Sequence, residues 1–435
     1  MGSLNTFSRS MRWRVGAVGL TVGLVALSAA CSSSSSSSGS SAPTSSSGKQ
    51  TITFAESGLG SEGTQTQKAI NAFEAANPNI KVNVDVLSSD STTYLSQLEN
   101  DFIAGSSTPD IFESDVTYPA KFAQAGWILP LTSFHVNTSQ FFSTEVAAGT
   151  YNGTLYAIPW FDNPEGLFYR TDLVKTPPTS PAQVVSDAEA AMKTDKSLKE
   201  GLAFEADKYE GAITAFLTVD SAFGGKLNPD NVNTPGNVAA LNWLHAAIYT
   251  NHIAPTAVTG WQEGQVEEQF VSGYTAFAIN YPFVEAQPMV AAVKGHVGYI
   301  PFPAGPGGTP GSALGGEMLA INAKSAHQAA AWKLIQYLTS ASVETTRAIA
   351  VGDPPSLPSA YTSALYTAAP YFQNVKVLNG YAAPRPVNPN YLTVSTDLQT
   401  LFSSVYANPS SSAAASAFSS GAAGIKSAAT ATPGS

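Results

Sequence analysis

The chain has 435 residues, 43% hydrophobic and 12% charged, and a net charge of −10 at neutral pH. That length allows two or three domains with sizeable cores, while the acidic balance excludes the basic surface that nucleic-acid phosphates require. The single cysteine, Cys31, excludes an internal disulfide.

Residues 1–30 have the layout of an export signal, with Arg9, Arg12 and Arg14 followed by an apolar run from Val15 to Ala30. Ser28-Ala29-Ala30-Cys31 resembles a bacterial lipoprotein processing box, although Leu27 stands one place earlier than usual. Cys31 is therefore the expected lipidation site, and the outer face of the cell membrane the expected location. An ordinary export signal or a retained anchor helix is the alternative, but about 16 apolar residues is short for a span. Loss of the leader leaves 18 basic against 31 acidic residues, a net charge of −13. Residues 31–49 are mostly serine, with Gly, Ala, Pro and Thr, and bury nothing, so they form a tether, and the folded part begins near Gln50.

Thr51–Ala55 predicts a strand, Gln65–Ala76 a helix with Ile70 and Phe73 inward, and Ile80–Val86 an alternating strand. This βαβ unit predicts a parallel sheet. A helix over 92–104 and a short strand, Pro109–Phe112, lead into Glu113, Ser114 and Asp115. Tyr118–Leu131 predicts a helix ended by Gly126. Further on, helices are expected over 181–200, 238–249, 266–271, 329–338 and 395–406, and an apolar element over 213–223. Strands are expected at 275–279, 298–303 and 318–321, with a Gly- and Pro-rich loop before Ala313, and the Ala/Ser tail is expected to fray.

Gly58-Leu59-Gly60-Ser61-Glu62-Gly63 fits the dinucleotide fingerprint G-x-G-x-x-G, with Asp85 about twenty residues on. Asp85 lies inside its strand, and an exported protein has no nicotinamide pool. The glycines fit better as a close backbone approach to a ligand at the carboxyl end of a strand. No cofactor is expected.

The stretch from Leu155 to Leu173, LYAIPWFDNPEGLFYRTDL, sets Trp160 and Phe161 beside Asp162, Asn163 and Glu165. An aromatic face beside a carboxylate and an amide suits a sugar, whose C–H face stacks on a ring while its hydroxyls need acceptors and donors. Gly166–Arg170 predicts a buried strand feeding an Asp172 helix cap. A turn between core strands is the alternative for the first half.

The order PDIFESDVTYPAKFAQAGWILPL, IPWFDNPEGLFYRTDL, WQEGQVEEQFVSGYTAFAINYPF, LGGEMLAINAKSAHQAAAWKLIQYLTS and RPVNPNYLTVSTDL resembles the family-1 extracellular solute-binding proteins of ABC sugar importers, trehalose/maltose-binding lipoproteins of actinobacteria above all. The resemblance runs from residue 51 to about 406. It implies an α/β, two-lobe periplasmic-binding-protein fold, type II-like, with a ligand cleft between lobes joined by hinge crossings. The first lobe is expected from 50–113 plus 302–342, the second from 114–301 plus 343–430. Carried over residue by residue, it implies sugar contacts at Glu62, Asp115, Asn163, Glu263, Tyr281, Gly315, Gly316 and Arg385. Tyr281 stands where relatives often have Trp, and Glu317 where they have an aromatic or amide, so the sugar is open.

Trp160 and Tyr281 are the stacking candidates, with core packing as the alternative; Glu62, Asp115 and Glu263 are the acceptors, with a solvated carboxylate as theirs. Arg385 is a donor or a structural ion pair. A hydrolase needs two carboxyls at a set separation, and the chain has no G-x-S-x-G or HExxH motif, so no catalytic residue is assigned. The five histidines lack metal-ligand spacing, so no metal is expected. The implied partners are a small carbohydrate, permease subunits and the membrane through the lipid, with the protein itself a monomer. A non-sugar solute is the remaining alternative.

Overall fold

The alternating apolar residues at the start of the chain pair as their period predicts. In this computed structural model, which describes residues 48–57, 60–88 and 91–432, β1 (Gln50–Ser57) runs parallel to β2 (Ile80–Leu87) along its whole length and to β3 (Ile111–Asp115) on its other side. The export leader, Cys31, most of the serine tether and Gly58-Leu59 lie outside the described residues. A helix, Gly60–Ala76, links β1 to β2 and turns Ile70 and Phe73 into the core.

A two-residue hairpin pair, β4 (Thr150–Tyr151) and β5 (Thr154–Leu155), precedes the longest strand, β6 (Ala157–Arg170). Further along lie β7 (Glu200–Ala203), β8 (Thr275–Asn280), β9 (Val297–Ile300), β10 (Ser312–Ile321) and β11 (Ala382–Ala383). The main sheet runs β2-β1-β3-β10-β6-β8-β7, with β11 on β10 and β9 on β6. β6 changes partners midway: residues 157–165 pair with β10, and 166–170 with β8 and β9. Every β6 residue except Asn163 is buried, so the strand shows no apolar/polar alternation, and its Asp162, Glu165 and Arg170 are buried with the apolar residues.

Two sets of cores flank these shared strands. On the β1–β3 side, Phe54, Ile70, Leu334 and Ile335 fill one face, and Phe102, Phe112 and Phe122 the other. Leu131, Phe141, Ile158 and Trp160 join the first of these clusters, and Val116, Ile128 and Ala148 the second. On the β7–β9 side, Phe216, Leu241, Phe402 and Phe418 form one cluster, and Phe168, Phe270 and Tyr299 another.

Several elements differ from the sequence expectation. Asp172 caps no helix; it receives the Arg170 fork at 2.7 and 2.6 Å, and Ser180 caps the following helix, Pro181–Thr194, by accepting the Gln183 N–H. Residues 312–317 extend the strand expected only from Met318, because β6 and β3 both need a partner there. The Ala/Ser tail does not fray. It forms the helix Ala413–Thr430, whose Phe418, Ile425 and Ala429 are buried beside the helix Tyr391–Tyr406. Alanine's high helix propensity favours that outcome once one face has apolar surface to cover. The helix expected over 118–131 stops at Gln124, where Gly126 takes φ +71.

Candidate ligand-binding site

Two buried arginines organise the carboxylates around the carboxyl ends of β1 and β3. Arg347, in the helix Ala341–Val351, bonds Asp353 through Nε at 2.6 Å, the Thr66 hydroxyl at 2.9 Å and Glu62 at 3.4 Å. Glu62 lies in the first turn of the helix after β1, and burial, with the neighbouring Asp353 adding to it, raises its carboxyl to about 8 against the pull of Arg347. Glu113, on β3, accepts the Ser57 N–H at 2.6 Å. Burial raises Glu113 as well, and that hydrogen bond works against the rise.

Arg385 is the second centre. It bonds both oxygens of Asp115 at 3.3 Å and Glu210 at 3.1 Å. Glu210 also accepts the hydroxyls of Tyr391, at 2.6 Å, and Ser395. Burial opposes the guanidinium charge, but Asp115 and Glu210 outweigh it and hold the proton more firmly than usual. Glu317 stands opposite Asp115 in the β3/β10 ladder. Its carboxyl is pushed well up, first by burial and then by Glu113 and Asp115.

The shared strands supply the middle of the site. Asn163, the one β6 residue that is not buried, pairs with Gly315, and Asp162 with Gly316. Gly316 takes φ +99, and a Cβ there would run into the Phe161 carbonyl oxygen. A Cβ on Gly315 would lie 2.9 Å from the Tyr281 ring. Tyr281 follows β8 and is 8% exposed. Burial raises its hydroxyl, and Glu165, Glu205 and Glu263 add to this while Arg385 opposes it. Glu263 opens the helix Glu263–Val271; its N–H donates to the Tyr209 hydroxyl at 2.9 Å, and burial, with Glu267, raises its carboxyl to about 7.

Glu62, Asp115, Asn163, Tyr281, Gly315, Gly316, Glu317, Glu263 and Arg385 thus gather about one region, where strands of both core sets end and β6 and β10 pass between them. Trp160 does not join them. It is 2% exposed, set edge-on to Phe54 at 5.8 Å, and its face is covered by the Arg347 guanidinium at 4.3 Å. It lines a cavity of about 250 Å³ with Gln65, Thr66, Tyr337, Leu338 and Arg347. Sequence reasoning missed Arg347, Asp353, Glu210, Glu205 and Tyr391, and named Glu113 and Glu165 without giving either a contact. With only 21 lysines and arginines in the chain, an arginine beside the apolar Ala348–Val351 run, as Arg347 is, was the one available signal. Among the described residues, no group of three or more His, Cys, Asp or Glu could hold a metal ion.

The sequence pattern described as bacterial extracellular solute-binding protein matches residues 57–345. A probable ABC transporter-binding protein of Deinococcus radiodurans is 30% identical over 77% of this chain and 83% of its own. Among solved structures, maltose-bound MalE3 of T. maritima superposes with a TM-score of 0.77 at 28% identity, covering 86% of this chain and 99% of that one. A solute-binding protein of Thermotoga lettingae bound to α-D-tagatose gives 0.75 at 23% identity, over 87% and 100%. The mixed α/β fold, with two core sets joined through shared strands, is the two-lobe fold of these neighbours. The chain therefore belongs to the bacterial extracellular solute-binding proteins, a family of receptors rather than enzymes.

Proposed function

We propose that this protein is the substrate-binding lipoprotein of an ABC importer, capturing a small carbohydrate outside the membrane and delivering it to a permease. The observation that carries the reading is the ring of carboxyls, glycines and one tyrosine about β6 and β10, at the carboxyl ends of strands from both halves. Carboxylates that accept several hydroxyls and a tyrosine face for C–H groups match a sugar better than an apolar or anionic solute. The maltose in the T. maritima relative supports the same class. The ligand is an α-glucoside disaccharide of the trehalose or maltose type. Asp115, Glu263, Glu62 and Glu317 accept its hydroxyls, Asn163 and Arg385 donate, Tyr281 stacks, and Gly315 and Gly316 let the backbone approach. The two lobes close on it, driven by contacts that only the closed state makes. The receptor acts as a monomer, held to the membrane through Cys31.

A thermal-shift screen with mono- and disaccharides, followed by calorimetry, tests this. A ligand at a hundred times its Kd adds about 2.7 kcal/mol of stability, and affinity near micromolar, about −8 kcal/mol, is expected. Loss of the shift in Glu263→Ala and Tyr281→Ala ties it to the site. A flat response to every sugar with a shift for an amino acid, peptide or other solute overturns the substrate class.

A further inference from the structure

Beside Tyr281, the second half of the site gathers three carboxyls, each raised by burial. Glu165 on β6, Glu205 just after β7 and Glu263 at its helix start all act on the same tyrosine. Glu205 is fully buried, and neither of its oxygens has a partner. It lies against Gly211, where a Cβ would strike its carboxyl, so the chain leaves room for that group by omitting a side chain. Glu165 bonds the Thr218 hydroxyl at 2.6 Å through one oxygen, and the other is buried and unpartnered. Among the described residues, no ion pair involves Glu165, Glu205 or Glu263. Arg385 is the one cation that bears on Glu165, and its bonds already go to Asp115 and Glu210.

Buried carboxyls with no partner either hold protons or wait for a donor. A neutral hydroxyl supplies a hydrogen bond but cannot draw the protons off carboxyls that burial has raised. An ammonium supplies up to three donors and the charge together, and charge-assisted bonds are roughly twice as strong as neutral ones. We infer that the Glu165–Glu205–Glu263 cluster is a cation-recognising subsite, and that the preferred ligand is an amino sugar whose protonated nitrogen enters it beside Tyr281. The inference rests on the carbohydrate reading above and narrows it. Among the described residues, no group of three or more His, Cys, Asp or Glu could hold a metal ion, and the ligand's own nitrogen supplies the positive charge.

The test is calorimetry on the purified chain at pH 7.5 with trehalose and maltose, their monoamino counterparts in which an ammonium replaces one hydroxyl, and the N-acetylated forms of those amines. At least one monoamino disaccharide is expected to bind ten-fold or more tightly than its neutral parent, and N-acetylation to abolish that preference. Glu205→Gln removes the ionisable carboxyl at nearly constant shape, so the ratio of the two dissociation constants falls towards one. Glu165→Gln gives the same readout if the first variant does not fold. Binding of the neutral parents with no preference for any amine overturns the cation subsite and leaves the carbohydrate reading standing. No binding of any sugar, neutral or amino, overturns both.

Discussion

Gly316→Ala isolates the geometry on which the site depends. The residue takes φ +99, and a Cβ would meet the Phe161 carbonyl oxygen and sit 3.1 Å from the Asn163 nitrogen, all of it backbone that cannot rotate away. A left-handed conformation costs a non-glycine residue about 1–2 kcal/mol. Forcing the extra carbon between paired strands adds about 1–3 kcal/mol, for a loss of roughly 2–5 kcal/mol in all. Gly126 supplies the control: it takes φ +71, but a Cβ there meets no atom within 4 Å, so Gly126→Ala carries only the conformational cost, about 1–2 kcal/mol. Urea unfolding of the two variants beside the parent reads the difference, and the sugar-induced thermal shift reads the site. Gly316→Ala should be clearly the less stable and should lose the shift, while Gly126→Ala keeps it. Equal destabilisation of the two would refute the argument that β6 and β10 approach too closely for a side chain.

Arg347→Met strips the shared cation from Asp353, Glu62 and Thr66 and should cost about 3–5 kcal/mol in urea unfolding, less the share carried by the partly exposed Glu62; Arg347→Lys should fall between, since an ammonium cannot fork to all three. Asp220 is buried with Oδ1 unpartnered, and burial raises its carboxyl from 3.8 to about 7. The folded chain therefore binds a proton that the unfolded chain releases between those values, and stability falls as pH rises through that window. Asp220→Asn should raise Tm at pH 8, by an equivalent of about 2–4 kcal/mol, and leave it nearly unchanged at pH 4; a Tm gain independent of pH would contradict the burial cause. Thr218→Val removes the 2.6 Å hydrogen bond that the Thr218 hydroxyl donates to the Glu165 carboxyl, and should destabilise by about 1–3 kcal/mol, with a larger loss at pH 8 than at pH 5 because the carboxyl, raised by burial to about 8, is then increasingly charged.

Periodicity located most elements, because Ile70 and Phe73, or Val82 and its neighbours, repeat at the spacing of a single buried face. It failed where a segment is buried all round. The Pro159–Glu165 half of β6 contains two prolines and mixed polar residues, which obscure a strand that exists only because β10 pairs beside it. Residues 341–379 yielded no sequence assignment, yet their helices carry Arg347 and lead to Asp353. Burial of an arginine is a tertiary fact, since its partners Glu62 and Thr66 lie nearly three hundred residues away. Trp160 depends on tertiary context in the same way. A ring beside carboxylates in sequence suggests a sugar platform, but the register of β6 and β10 shifts at this residue, and the ring packs into the β1–β3 core against Phe54 with the Arg347 guanidinium over its face.

The two arginines divide their work by position. Arg347 binds only groups on the β1–β3 side and the segment leading from its own helix. Arg385 instead joins Asp115, at the end of β3, to Glu210, at the start of the Gly211–Asp220 helix on the other core. It is therefore the cation through which carboxylates of the two halves hold one another, and any separation of the halves must break one of its ion pairs in a buried setting. Such a break leaves a charge short of its partner unless water or a ligand replaces it. A polyhydroxylated ligand can offer hydroxyl donors to Asp115 and Glu210 and lone pairs to the guanidinium. Under the proposed function, the same fork that joins the two halves enters the ligand's hydrogen-bond network, and opening and binding draw on one set of groups.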